Sequence, residues 1–305
     1  MTSIVFPGQG SQTVGMTKDF YDNFKTAKLI FEEIEDYTKI NIRNIIFEND
    51  QNKLDLTQFT QICIFASSFV IFKIYVEENN IKIENIDIML GHSLGEYTSL
   101  ACSEKISLKD CSLILKTRGE LMNNAVPPNE TGMAALIGKD SSFVEKIIEE
   151  NNLNIEIAND NSPIQIVISG SKSEISNSKN YFLNNDLKKF VDLNVSAAFH
   201  SKYMKTAQDK LSKKIDELKF FENNIKIISN FDAQIHVNNK LIKKNLQNQM
   251  ANRVNWTKSI KILEEIGEKN IIEIGPSKVL SGLINRISKN FDIKSINTIS
   301  DLNHE

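Results

Sequence analysis

Glycine and proline are scarce in this chain, at 12 and 5 of 305 residues, and tryptophan occurs once. So little glycine excludes collagen-like or Gly-rich low-complexity architectures, and so little proline excludes long polyproline linkers. The three cysteines, Cys63, Cys102 and Cys111, form no CxxC pair and sit among apolar neighbours. They read as buried thiols, which excludes a disulfide framework and a cysteine metal site. No excess of one charge is present either: 36 Lys and Arg against 39 Asp and Glu give −3. Nothing in that total calls for nucleic acid or a membrane surface. The start, MTSIVFPGQGSQ, has no basic segment leading into an apolar run, so no signal peptide is expected. The longest apolar run, Ile62 to Phe72, is shorter than the about 20 residues that span a bilayer, and reads as a buried helix. A cytoplasmic protein is the expectation. Asn, Ile and Lys are abundant, which reads as coding bias and carries no function.

What is present is the composition of a globular protein, 41% hydrophobic and 25% charged. "TSIVFPG" reads as a short strand ended by Pro7-Gly8. Phe20, Phe24, Ala27, Ile30, Phe31 and Ile34 recur at helical spacing, and Thr57 to Val76 is a long helix. Between about 125 and 194 the order strand, helix, two strands, helix, strand gives the β-α-β-β-α-β pattern of ferredoxin-like subdomains. Helices around Tyr203 to Leu218 and Thr257 to Ile266 then alternate with strands "IKIISN" and "NIIEIG". The fold class expected is α/β, with a parallel-sheet core over 1–124 and 195–305 and an inserted subdomain over 125–194.

One stretch carries chemistry. "NIDIML" reads as a strand, GHSLG follows, and a helix with Leu94, Tyr97, Ala101 and Cys102 on one face comes next. A serine on a strand-to-helix turn exposes its Oγ, and the N–H of the next residue faces the site of a developing oxyanion. The alternative for Ser93 is an ordinary N-cap. A nucleophilic serine needs a base. His92 adjoins Ser93 and should point away; His236 lies in a polar, hairpin-like surface stretch; His304 is in the tail. His200 follows Ser196, Ala197 and Ala198 at the seam where the inserted segment ends, and is the candidate base. No acid stands out to orient it: Asp192 is possible but sits on a predicted strand, and a backbone carbonyl can do the same work. Arg118, read alone, fits a surface helix arginine; the alternative is a fork for a carboxylate. FPGQGSQ lacks the GxxxxGK[ST] pattern but can present backbone N–H groups.

Taken together, these stretches resemble the malonyl-CoA:acyl-carrier-protein transacylases of fatty-acid synthesis and the acyltransferase domains of polyketide synthases. FPGQGSQTVGM, GHSLGEYTSLAC, TRGELM, NSPIQIVISG, VSAAFHSKYM, QMANRVNWTKSI and EIGPSKVLSGLI carry the resemblance, in order and over nearly the full chain. It implies an α/β-hydrolase-like core with a ferredoxin-like insert. It implies Ser93 as nucleophile, His200 as base and acid, and Arg118 as partner of the malonyl carboxylate. Leu94 and Gln9 would supply oxyanion N–H groups, and the Gln249 carbonyl would orient His200. Phe199 resembles the malonyl-selective pattern. The substrates implied are malonyl-CoA and an acyl carrier protein, with no cofactor and no metal, in a monomer. The carrier is acidic in this family, so Lys188, Lys189, Lys202 and Lys205 are candidates for a basic rim or, equally, ordinary solvated lysines. Arg253 stands where the family usually has proline, which would leave that loop freer. Trp256 is expected to pack and Glu273 to close a strand end. A serine thioesterase, a non-catalytic carrier-binding module and a polyketide-pathway enzyme remain the alternatives.

Overall fold

Short apolar runs alternating with amphipathic stretches resolve into two sheets in the computed structural model, which describes residues 2–302. The strands are β1 (Thr2–Phe6), β2 (Ile88–Gly91), β3 (Thr131–Ile137), β4 (Glu156–Ser162), β5 (Gln165–Ser171), β6 (Lys189–Leu193), β7 (Lys226–Ile228), β8 (Ile235–His236), β9 (Asn270–Ile274) and β10 (Asp292–Ile296). The helices are α1 (Lys18–Asn23), α2 (Lys25–Thr38), α3 (Ile42–Phe47), α4 (Thr57–Glu78), α5 (Leu94–Cys102), α6 (Leu108–Asn123), α7 (Ser141–Glu150), α8 (Lys172–Leu183), α9 (Lys205–Glu217), α10 (Asn239–Asn248), α11 (Trp256–Glu265) and α12 (Val279–Ile287).

The larger sheet runs β10-β9-β1-β2-β7-β8, with every pair parallel except the β7–β8 hairpin at one edge. β1 and β2 read as nearly unbroken apolar runs because helices cover both faces of the sheet. Ile4, Phe6 and Met89 face the core built around α4, α5 and α6. Val5, Ile88 and Leu90 face the other core, with Trp256, Ile260 and Leu283. The smaller sheet runs β4-β5-β3-β6, wholly antiparallel, and carries its own apolar cluster beneath α7 and α8. Val254 stitches the two together: its N–H donates to Ala158 O at 2.9 Å and its carbonyl accepts from Asp160 N–H at 3.0 Å.

Helix α4 is the one described helix long and apolar enough to cross a membrane by length and composition, yet 83% of its most apolar window is buried inside the protein. It packs against α2, α5 and α6, and Phe65 at its centre is fully buried. Truncating such a side chain to alanine costs about 3–5 kcal/mol.

Two local expectations differ from the structure, and one strand gave no signal in the sequence. The helix spaced over Phe20 to Ile34 breaks at Phe24, whose extended backbone (φ −117°, ψ 128°) separates α1 from α2. α5 does not show one apolar face: all nine of its residues are buried, because it lies between the large sheet, α4 and α6. β10, at a sheet edge, is no more than partly buried from Asp292 to Ser295 and has too little apolar content to announce itself.

Candidate active site

Strand β2 ends at Gly91 and α5 begins at Leu94, so the chain reverses within His92 and Ser93. Ser93 sits at φ 53°, ψ −106°, a region that side-chain-bearing residues avoid. Its backbone is held from both ends. The Ser93 N–H donates to Asn230 Oδ1 at 2.7 Å, and its carbonyl accepts from Gln249 Nε2 at 2.8 Å and from Glu96 N–H at 3.1 Å. The flanking glycines are there for close approach. A Cβ on Gly91 would lie 2.1 Å from the Gly95 carbonyl carbon, and one on Gly95 would lie 2.1 Å from Phe6 O.

Ser93 Oγ lies 2.8 Å from His200 Nε2. His200 is 4% exposed, at the turn after Phe199 that follows β6. Its Nδ1 is 3.1 Å from two carbonyls, Gln249 O and Asn252 O. Carbonyls only accept, so Nδ1 carries the proton and Nε2 offers a lone pair to the serine hydroxyl. Burial first, and then the Arg118 guanidinium, pull the His200 imidazolium down to about 3. At neutral pH the ring is therefore a base. No acid among the described residues orients it: Asp192 lies on β6 opposite Ala134, in the smaller sheet.

Arg118 projects from α6 and is 1% exposed, not a surface residue. Its Nη1 donates to Gln61 Oε1 at 2.6 Å, and its Nη2 donates to Gln249 Oε1 and to Ser93 Oγ, both at 3.0 Å. The guanidinium also lies over the Tyr97 ring at 5.2 Å. Burial lowers its proton affinity, because a cation is poorly solvated there. All of its hydrogen-bond acceptors are neutral, an arrangement suited to receiving an anion. The Leu94 N–H occupies the first position of α5, where a helix has no internal acceptor, and neither it nor the Gln9 N–H has a hydrogen-bond partner among the described residues. Both residues line a cavity of about 400 Å³ together with Ser93, Arg118, Phe199 and His200. A half-buried hydroxyl that lines the cavity, between a neutral imidazole and a buried guanidinium and beside unpaired N–H groups, is equipped for acyl transfer through a serine ester.

The other residues singled out fall elsewhere. His92 turns away from Ser93: its Nε2 lies 2.8 Å from Asn161 Oδ1 and its ring packs 5.6 Å from that of Trp256, which is fully buried. His236 is not a surface group. It is half-buried on β8, 2.9 Å from Asp232 Oδ2, because the hairpin folds back under α10. Glu273 does more than close a strand: from β9 it accepts hydrogen bonds from the Leu280 and Ser281 N–H groups and the Ser281 hydroxyl, capping α12. Lys188, Lys189, Lys202 and Lys205 are exposed, but none lines the cavity; Lys205 pairs with Asp209 and Lys202 bonds to Asn154. Arg253 does not leave its loop free, since Arg253 Nη2 bonds to Glu145 Oε1 on α7 at 2.7 Å. His304 lies outside the described residues. All three cysteines are free and buried.

Sequence reasoning missed Glu96, Asn230, Asn252 and Gln61. Glu96 was visible within GHSLGE as an acid one turn into an apolar helix. Asn230 and Asn252 gave no signal, because their roles arise from segments more than 130 and 50 residues from their partners in sequence.

The family description "Acyl transferase domain" matches residues 4–305. The malonyl CoA-acyl carrier protein transacylase of Bacillus subtilis (strain 168) is 36% identical over 291 residues, covering 94% of this chain and 90% of that protein. The solved acyl carrier protein S-malonyltransferase of Vibrio cholerae superposes with a TM-score of 0.93 at 31% identity, covering 99% of this chain and 98% of that one. A malonyl-transacylase solved in complex with its type II PKS acyl-carrier protein gives the same TM-score and identity, covering 99% and 97%. This chain belongs to the acyl transferase domain family, with the malonyl CoA-acyl carrier protein transacylases.

Proposed function

We propose that the protein transfers a malonyl group from malonyl-CoA to the phosphopantetheine thiol of an acyl carrier protein, supplying fatty-acid synthesis. The observation that carries this reading is Ser93 Oγ held between His200 Nε2 at 2.8 Å and Arg118 Nη2 at 3.0 Å, the latter a buried cation whose acceptors are all neutral. In the first half-reaction Ser93 Oγ attacks the thioester carbon while His200 Nε2 takes its proton. The oxyanion is received by the Leu94 and Gln9 N–H groups. The C–S bond then breaks, and CoA leaves as the thiol with the proton from His200. In the second half, His200 deprotonates the carrier's thiol, which attacks the malonyl-Ser93 ester and releases Ser93 Oγ with that proton. The Gln249 carbonyl holds the His200 tautomer, and Arg118 pairs with the acyl carboxylate throughout. No cofactor enters the scheme.

We read the larger sheet and its helices, 1–124 and 195–305, as an α/β-hydrolase-like core. The strand-turn-helix elbow supports that reading. We read 125–194 as a ferredoxin-like insert, which the β4-β5-β3-β6 order supports. A monomer in the cytoplasm, working with a diffusible acidic carrier, is the matching biological setting.

The test is an intact mass after incubation with malonyl-CoA, and again after adding a phosphopantetheinylated carrier. A malonyl adduct on the wild type, absent from Ser93→Ala and discharged to the carrier, is expected. An adduct that survives Ser93→Ala overturns the scheme, and release of free malonate without any carrier makes the protein a thioesterase.

A further inference from the structure

A basic and an acidic side chain are buried beside Ser93 without touching. Arg118 is 1% exposed and Glu96, on the first turn of α5, is 0% exposed. The Gln249 side-chain amide stands between them. Its Oε1 accepts from Arg118 Nη2 at 3.0 Å, and its Nε2 donates to Glu96 Oε2 at 2.7 Å and to Ser93 O at 2.8 Å. The same Glu96 oxygen accepts from the Asn230 N–H at 3.1 Å, and Asn230 Oδ1 in turn accepts from the Ser93 N–H. The direction of the amide is dictated by these neighbours. Flipped, it would turn its NH2 group to the guanidinium and its oxygen to the carboxylate, and both contacts would repel.

A charge taken out of water without a counterpart is strongly disfavoured, so burial raises the Glu96 pKa, and the hydrogen bonds from Gln249 and the Asn230 N–H oppose that rise by favouring the carboxylate. Here each charge has its counterpart one amide away, and the Arg118 guanidinium, which lines the cavity, is met only by neutral acceptors. We propose that Glu96 is a positioning residue for the acyl carboxylate: through the Gln249 amide its negative charge offsets Arg118 in the unloaded protein and limits how tightly the cavity holds a carboxylate-bearing acyl group. The inference deepens the transfer reading and rests on it. When an acyl carboxylate reaches Arg118, two carboxylates share one guanidinium, so Glu96 weakens the hold on the acyl group. A transferase that must pass that group on gains from a bond to Arg118 that is selective without being tight.

Phenylmethylsulfonyl fluoride, a serine reagent with no carboxylate for Arg118 to pair with, should label Ser93, and free malonate should protect against it. Each variant's own labelling rate without malonate serves as its baseline. Glu96→Gln keeps the shape and an acceptor oxygen but removes the charge. Its half-protecting malonate concentration is expected to fall about tenfold, within the usual range for coupled binding. Glu96→Asp keeps the charge while stretching the hydrogen bonds, and should not tighten malonate. Unchanged or weaker protection in Glu96→Gln, or equal tightening in both variants, overturns the proposal. Should Glu96→Gln not fold, the double variant Glu96→Gln/Arg118→Gln decides. Removing the now unbalanced guanidinium should restore soluble protein with a higher melting temperature, and failure to do so also overturns the proposal. If malonate does not protect the wild type, the transfer reading itself fails at Arg118 and the inference falls with it. That outcome is separate from a failure of Glu96 alone.

Discussion

The pH at which His200 stops acting as a base is the sharpest consequence of the site's electrostatics. Burial is the largest cause of its depressed pKa, the Arg118 guanidinium is the next, and the Gln249 and Asn252 carbonyls act the other way. A fall from 6.5 to about 3 corresponds to about 5 kcal/mol set against the imidazolium. The perturbation is Arg118→Met, which removes the charge and keeps an apolar body of similar length. The assay is the rate of Ser93 labelling by phenylmethylsulfonyl fluoride across the acid range, with circular dichroism at each pH to exclude unfolding. In the wild type the rate should stay level well below pH 6.5, because the free protein's base remains neutral there. In Arg118→Met the acid limb should move up from about 3 while staying below 6.5, since burial persists. Stability follows the same linkage. Between about 3 and 6.5 the unfolded chain binds a proton at this position that the folded chain refuses. This contribution therefore leaves stability untouched above 6.5 and erodes it by about 1.4 kcal/mol per pH unit as the pH falls through that window. A wild-type labelling limb near 6.5, or one that Arg118→Met leaves in place, would refute the reasoning.

Further expectations follow from single contacts. Gly95→Ala puts a methyl 2.1 Å from Phe6 O, so the elbow must shift; a stability loss of about 1–3 kcal/mol by thermal melting, with Ser93 labelling largely lost, is expected. Glu273→Ala leaves the Leu280 and Ser281 N–H groups unpaired at the start of α12 and should cost about 1–3 kcal/mol in urea denaturation. Arg253→Ala breaks a partly exposed ion pair with Glu145, so the loss should stay below about 1 kcal/mol and vanish in high salt; a larger, salt-insensitive loss would mean the pair is not the relevant contact.

Much of the site was legible because its residues sit in local patterns with a mechanism. GHSLG after an apolar strand announced an elbow, and the elbow is present at Ser93 with its unusual backbone angles. The alternation over 125 to 194 announced a β-α-β-β-α-β segment, and the strands pair in a single antiparallel sheet. Arg118 was ambiguous for a physical reason. The charge pattern of α6 does not say that α4 lies across it, and the burial that makes this arginine an anion receptor comes from that packing. His236 misled because a polar hairpin gives no hint that Asp232 and α10 enclose it.

The linear order of residues by itself determined most of the elements and the chemical inventory: a serine between close-packing glycines, one histidine at a seam, one arginine in a half-apolar helix, and buried thiols. Only the tertiary structure decided which of these meet. It set His200 against Ser93 across 107 positions of chain and the Gln249 carbonyl against His200 Nδ1 across 49. It also enclosed Glu96 and Arg118 around one amide. Periodicity and turn chemistry act over a few residues and can be read in the chain. Burial, pKa and hydrogen-bond partnership depend on which distant segments exclude water from one another, and that exists only once the sheets have closed.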